Sequence, residues 1–155
     1  MRARDLAGPY VSVSTDSGAA DAAWLLATES TPGLVVVDTD AEPCAILTTD
    51  QLLEFLVPAY VRNNHTLAAV IDESHADTLA AALTGRQVSD CLGQCSPLLP
   101  AVPSDATTVE IAELMASVRS PLVVVLDDHH GARRLYGVIT ANQLLRHLLT
   151  STDRV

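Results

Sequence analysis

Residues 13–38 and 102–127 are two versions of one segment. At a constant offset of 89, nine of 26 positions are identical, among them Asp16/Asp105, Ala23/Ala112, Leu25/Leu114, Pro32/Pro121 and Asp38/Asp127. After a slip of three residues the echo resumes at offset 92. Ile46-Leu47-Thr48 then answers to Val138-Ile139-Thr140, and Gln51-Leu52-Leu53 to Gln143-Leu144-Leu145. A repeat of this length means one structural unit used twice.

A chain of 155 residues can bury roughly two thirds of its unfolded surface, enough for a core without staples. Its 48% apolar content is that of a globular protein. Nine arginines, no lysine and nineteen acids leave a net charge of −10. Phosphate-backbone binding needs clustered positive charge, so this balance argues against a nucleic-acid partner. The charge is uneven: residues 1–61 hold two Arg against nine acids, and residues 88–155 hold five against seven. An anionic ligand would therefore prefer the second half. The N-terminus has no apolar stretch of the secretory kind. Nor does any segment approach the roughly 18 apolar residues of a membrane span, so direct membrane insertion is not expected. Cys44, Cys91 and Cys95 form an odd, sparse set, expected as reduced thiols in a cytoplasmic protein.

Each copy reads as strand, helix, strand, strand, helix. In the second, Leu98–Val102 is an extended piece ended by Pro103-Ser104-Asp105. Thr107 then opens a helix, with Glu110 completing a capping box. Val109, Ala112, Leu114, Met115 and Val118 supply the apolar side, and Pro121 stops the helix. Leu122–Leu126 is a branched-rich run typical of a buried strand. Asp127–Gly131 reads as the turn and Leu135–Thr140 as the return strand. Leu144, Leu145, Leu148 and Leu149 form one stripe on the last helix. In the first copy Gly18 and Asp21 stand where Thr107 and Glu110 make the capping box. Val35–Val37 is the buried strand, Asp38–Glu42 the turn, and Cys44–Leu47 the return strand. A helix follows from Thr49 to about Tyr60, shortened or kinked by Pro58. The spacing thus predicts units over 1–61 and 88–155. Residues 62–87 are read as a helical connector with helices over His65–Ile71 and Asp77–Leu83, and Gly85 as a stop.

This doubled strand-helix-strand-strand-helix pattern closes on Gly-Val-Ile-Thr (137–140) followed by Ala-Asn-Gln-Leu-Leu. It resembles a tandem pair of CBS domains, over residues 3–60 and 88–150. Ala3-Arg-Asp-Leu and Val88-Ser-Asp-Cys-Leu resemble the family's lead-in segments. The resemblance implies an α+β fold of two β-α-β-β-α repeats, packed sheet to sheet about a pseudo-two-fold axis. It also implies clefts that take adenosine-containing ligands, and pairing as a homodimer. The implied role is non-catalytic: sensing such a ligand and signalling to a partner such as a regulated enzyme or transporter. ATP, ADP, AMP and S-adenosylmethionine are the implied candidates.

In the resembled family a Thr or Ser ends the last strand and an acid follows three residues later. The hydroxyl and helix N-terminus meet phosphate, where free N–H groups and the dipole favour an anion; the acid holds both ribose hydroxyls. Here the hydroxyls stand as Thr48 and Thr140, but Gln51 and Gln143 replace the acids. A neutral amide in place of a carboxylate weakens such recognition by about tenfold. The candidate ligand residues are Thr140, Gln143, Asn142 and Arg119, with Thr48 and Gln51 in the first copy. Arg119 could instead complement a helix C-terminus, and Thr140 could simply cap a helix. Copy one carries Ser30 where copy two has Arg119.

Four adjacent residues, Asp127-Asp128-His129-His130, rarely converge on one metal ion. Cys91 and Cys95 lack the two-residue gap of zinc or redox pairs. Trp24, opposite Glu113 of the other copy, reads first as core packing and second as a partner contact. No nucleophile elbow or Gly-rich phosphate loop appears, so no catalytic set is expected. A rival reading is a ligand-free dimerisation or interaction module that uses the connector as its surface.

Overall fold

The computed structural model describes residues 1–57, 59–70, 74–92, 99–129 and 131–152. The first unit holds β1 (Ser12–Ser14), α2 (Ala19–Thr28), β2 (Gly33–Val37), β3 (Pro43–Thr48) and α3 (Thr49–Leu56), preceded by the short α1 (Ala3–Leu6). Three short helices follow: α4 (Ala59–Arg62), α5 (His65–Val70) and α6 (Ser74–Ala81). The second unit repeats the order as α7 (Val88–Cys91), β4 (Ala101–Pro103), α8 (Thr108–Val118), β5 (Leu122–His129), β6 (Ala132–Thr140) and α9 (Ala141–Thr152). Each unit has one three-stranded sheet, β1-β2-β3 or β4-β5-β6, with the first pair parallel and the second antiparallel.

The central strands are apolar over Gly33–Val37 and Leu122–Leu126 because both faces are covered there. Side chains alternate across a strand, and here each face has its own cover. Leu34 and Val36 point into a core with Ala19, Ala22, Leu26 and Leu52 of the first unit's helices. Val123 and Val125 do the same with Ile111, Met115 and Leu144 of the second. The residues between them turn the other way. Val35 and Ile46 of one sheet meet Leu122, Val124 and Val138 of the other in a third, inter-sheet layer. Gly33 belongs to this close approach: a Cβ there would lie 3.0 Å from Leu122 and 3.0 Å from Ile46 side-chain atoms.

The short lead-in helices are exchanged between units. Ala3 N–H donates to the Ala106 carbonyl at 2.9 Å, Arg4 to Ser104 at 2.9 Å, and Gly8 to Val138 at 2.9 Å, all in the second unit. Reciprocally, Val88 donates to Ser17 at 2.9 Å and Ser89 to Thr15 at 3.1 Å, in the first. Ala3 and Val88 are each completely buried at these docking points. Lead-in segments that precede one unit in sequence therefore complete the other in space.

Several expectations change. The turn after β5 is shorter than Asp127–Gly131. Asp127, Asp128 and His129 continue the strand, in register with Arg134, Arg133 and Ala132, so alternation that reads as loop is a charged antiparallel ribbon. On α8 the buried residues are Ile111 and Met115, one turn apart, whereas Val109 is 76% exposed, about 200° round the helix from Ile111. Val118 is also exposed, at the end of the helix. Of the α9 stripe only Leu144 is buried; Leu145, Leu148 and Leu149 are exposed. Trp24 is 70% exposed, opposite the buried Ala22, so core packing is overturned. The Thr49 helix ends at Leu56, with α4 a separate turn; Pro58 lies outside the described residues. Ile71, Cys95, Leu98, His130 and most of the Asp72–Asp77 stretch also lie outside them or carry no described side chain. The helix predicted over Asp77–Leu83 starts earlier, at Ser74, and Leu83 instead packs into the first unit's core. Gly85, expected as a stop, takes the left-handed φ of +76°.

The Thr107 and Glu110 box forms as expected, with Thr107 N–H donating to the Glu110 carboxylate at 2.6 Å. That N–H, and then the Thr107 hydroxyl, hold the Glu110 carboxyl below its ordinary pKa. In the first copy Gly18 caps α2 with no side-chain bond.

Candidate functional site

Two clefts open where the units meet, each walled by parts of both. The larger, about 460 Å³, lies at the junction of β6 and α9. It is lined by Thr140, Asn142, Gln143 and Arg146 on one side, and by Glu29, Ser30, Thr31 and Pro32, after α2, on the other. Pro9, Tyr10 and Val11, the stretch that leaves the exchanged lead-in, form a third wall. A volume of this size falls within the range of roughly 300–1,000 Å³ typical of small-molecule sites. A neighbouring hollow shares Ser30, Thr31, Pro32, Thr140 and Asn142 and extends the cleft to Pro121. The smaller cleft, about 280 Å³, is its pseudo-symmetric counterpart, lined by Thr48, Asp50, Gln51, Pro100, Arg119, Ser120 and Pro121 among others.

The candidate residues are thus divided between two places. Thr140, Asn142 and Gln143 share the larger cleft; Thr48, Gln51 and Arg119 share the smaller. Grouping Arg119 with Thr140 is corrected by topology. Each cleft combines the last helix of one unit with the end of the first helix of the other. Arg119 therefore faces Thr48, and its counterpart Ser30 faces Thr140. Arg119 and Ser30 are also the left-handed residues that end α8 and α2, at φ +52° and +50°. Each is followed two residues later by a proline, which stops the helix and turns the chain along the cleft.

Thr140 and Gln143 are tied to one another. Thr140 N–H donates to Gln143 Oε1 at 2.9 Å, the Thr140 hydroxyl donates to the same oxygen at 3.2 Å, and Gln143 N–H donates to Thr140 Oγ1 at 3.2 Å. In the first copy Thr48 N–H donates to Gln51 Oε1 at 3.1 Å and Gln51 N–H donates to Thr48 Oγ1 at 3.2 Å. Both pairs are capping boxes, which satisfy backbone donors that a helix start leaves open. The far end of the Gln143 amide faces the lead-in: its Nε2 lies 3.1 Å from where a Gly8 Cβ would stand. The Gln143 side chain thus packs beside the lead-in, and its carbonyl oxygen is already engaged by Thr140.

Four cleft residues went unnoticed in the sequence: Tyr10, Glu29, Thr31 and Arg146. Tyr10 and Glu29 belong to chain segments brought in by the exchange and by the inter-unit packing, which no local pattern announces. Arg146 was detectable, since it lies one helical turn after Asn142 on the same face. The two described cysteines stand apart from both clefts. Cys44 is exposed and Cys91 buried. Burial raises both thiol pKa values, helped by Asp38 at Cys44 and Asp90 at Cys91. Among the described residues no three His, Cys, Asp or Glu side chains are grouped to hold a metal ion. Nor is any helix among them long and apolar enough to cross a membrane.

Comparison with known proteins agrees with this architecture. The family described as CBS domain matches residues 92–150. A CBS domain-containing protein of unknown function from Kribbella flavida DSM 17836 is 40% identical, with a TM-score of 0.79 over 96% of this chain and 99% of that one. CBSX2 from Arabidopsis thaliana is 19% identical, with a TM-score of 0.74 over 98% and 96% of the two chains. A structure of CBSX2 in complex with AMP is 21% identical, with a TM-score of 0.66 over 97% and 98%. These last two likenesses show the fold alone. No curated protein matches the sequence. The doubled sheets, the exchanged lead-ins and the 40% identical relative together place the chain in the CBS domain family, as a tandem pair.

Proposed function

We propose that this CBS pair is a non-catalytic regulatory module of the cytoplasm, which senses an adenosine-containing ligand in the Thr140 cleft and signals to a partner protein, such as an enzyme or transporter. The cleft itself carries this reading: it is the larger of the two and is built from both units. A ligand there can favour one inter-unit angle over another, which is how binding becomes a signal. CBSX2, a relative in fold, has been seen with AMP. ATP, ADP, AMP and S-adenosylmethionine are the ligands to try.

The test exploits the matched caps. Thr140→Val and Thr48→Val each remove an N-cap hydroxyl and should each lower stability by about 0.5–2 kcal/mol. Calorimetry with the four ligands should show weakened binding for Thr140→Val alone. Equal loss from both variants would reduce Thr140 to a cap. No heat from any ligand would instead favour an interaction module without a ligand. Two observations support that second reading: both glutamines are engaged in capping, and the 59–70 segment exposes Tyr60, Leu67 and Val70.

We also propose homodimerisation through the outer helices. Leu53 and Leu145, equivalent positions of the repeat, are 54% and 56% exposed on α3 and α9. Trp24 on α2 and Leu149 on α9 are further exposed apolar side chains. Self-complementary contact across a two-fold axis suits a module that presents the same residue from both halves. Sedimentation should give twice the 16.4 kDa chain mass, and Leu145→Glu should shift it to one. A dimer that survives this change sits elsewhere.

A further inference from the structure

The β5–β6 ribbon has an open edge that its counterpart in the first unit lacks. There the β2–β3 ladder stops at Val37 and Pro43, the repeat counterparts of Leu126 and Leu135. In the second unit it runs on for three more pairs, Asp127/Arg134, Asp128/Arg133 and His129/Ala132. β6 is the outer strand of this sheet, and among the described residues only Gly8 bridges to its free side, at Val138. Backbone groups along an antiparallel strand point alternately toward the partner strand and away from it. His129 and Ala132 face each other across only two residues, so they form a hydrogen-bonded pair, as do Asp127 and Arg134 two steps on. The N–H and C=O of Arg133 and Leu135 therefore point outward. In the first unit Pro43 stands at the place of Leu135 and has no N–H to offer, so that edge is blunted.

We propose that the Arg133–Leu135 edge takes an extended, acidic segment of a partner protein as an added strand. Main-chain bonds to Arg133 and Leu135 hold it, and side-chain contacts select it. Arg133 and Arg134 are exposed and adjacent on the strand, so they point to opposite faces. Acids at successive positions of the added strand then meet one arginine on each face, and opposite charges so placed stabilise the pairing. Beside them a hollow of about 380 Å³, walled by Asp127, Arg134, Leu135 and Tyr136, can take one side chain of the guest. Tyr136, at the bulge, is 53% exposed and supplies an aromatic wall. A second copy of the chain fits worse. A two-fold axis at Arg133 or Arg134 sets that arginine against its own copy, and like charges directly opposite repel. An axis at Leu135 brings Arg133 against Gly137, where Ala7 and Gly8 of the lead-in already lie. With a net charge of −10, the chain repels an acidic segment over most of its surface, whereas β6 carries two arginines and no acid. The edge lies outside both clefts, so the proposal stands whether or not they bind a ligand.

The experiment is an NMR titration of the isotope-labelled chain with a capped peptide of alternating Glu and Val. The Arg133 and Leu135 amides should shift and gain protection from exchange, and a peptide of alternating Lys and Val should leave them unmoved. Arg133→Pro removes one outward N–H at a place where an edge strand tolerates proline. It should weaken the Glu-Val peptide about tenfold or more. Arg133→Gln/Arg134→Gln keeps the backbone and should weaken it about tenfold; this variant carries the test if the proline variant melts early. Absence of shifts at Arg133 and Leu135, equal binding of the Lys-Val peptide, or full affinity in the glutamine variant overturns the proposal. Self-association of the free chain that Arg133→Pro abolishes would give the edge to a second copy, and overturns it too.

Discussion

Replacing Leu122 with alanine should lower stability by about 2–5 kcal/mol, the usual cost of a large-to-small change in a closed core. Leu122 is 1% exposed and sits in the inter-sheet layer with Val35, Ile46, Val124 and Val138. Its Cδ2 lies 3.0 Å from where a Gly33 Cβ would be, so it fills the space that the glycine leaves. Collapse of the surroundings is limited there, because rigid strands of both units line the hole. Leu122 is also a wall of the Thr140 cleft, and truncation should enlarge the cleft while loosening the contact between the sheets. Val109→Ala, on the exposed side of α8, is the control, with an expected change within about 0.5 kcal/mol. Urea unfolding followed by circular dichroism separates the two. A loss below about 1 kcal/mol at Leu122 would mean that the inter-sheet layer repacks freely.

Gly137→Val should release the N-terminal lead-in. A Cβ at Gly137 would stand 2.8 Å from the Gly8 carbonyl oxygen and 3.0 Å from the Ala7 Cβ. The first of these is a backbone atom and cannot swing aside. Overpacking of this kind costs about 1–3 kcal/mol, and the relief available is to lift Ala7 and Gly8 off β6. That would break the paired hydrogen bonds between Gly8 and Val138, now 2.9 and 3.2 Å. The Ala3, Arg4 and Gly8 amides should then lose protection in hydrogen exchange. Affinity for any cleft ligand should fall as well, since Pro9, Tyr10 and Val11 move with the lead-in. Ala45 occupies the same place in the first copy and is buried with its methyl accommodated. Ala45→Gly should therefore cost only about 0.5–1 kcal/mol of strand stability and leave N-terminal exchange untouched.

Gly137 also shows how far the sequence could be read. Its repeat counterpart being Ala45 looks like a neutral drift between copies. The cause, a backbone crossing from residues 7 and 8, is non-local and carries no periodic signature. Where a signal was local, it was legible. The apolar runs at 33–37 and 122–126 read as buried strands, and Thr107 with Glu110 as a cap, because burial and capping leave marks within a few residues. Side-chain direction was less legible. Val109 and Trp24 are apolar residues on helices, but the side of the helix that meets the sheet is set by Ile111, Met115 and Ala22. The candidate site was half legible. Thr140 and Thr48 do sit in clefts, yet the three-residue spacing to Gln143 and Gln51 is a capping box as much as a ligand signature. The partition of Arg119 and Arg146 between the clefts needed the inter-unit packing.

The exchange of lead-ins has a consequence for synthesis. Ala3 and Arg4 emerge from the ribosome before their acceptors, Ala106 and Ser104, which follow about a hundred residues later. At roughly 5–20 residues per second, the N-terminus waits for seconds with its docking partners unmade. The first unit likewise lacks Val88 and Ser89 until the connector has been translated. A nascent chain ending at residue 87 should be protease-sensitive, and one extended through residue 152 should be resistant in both halves. Neither half is finished until the other has been made.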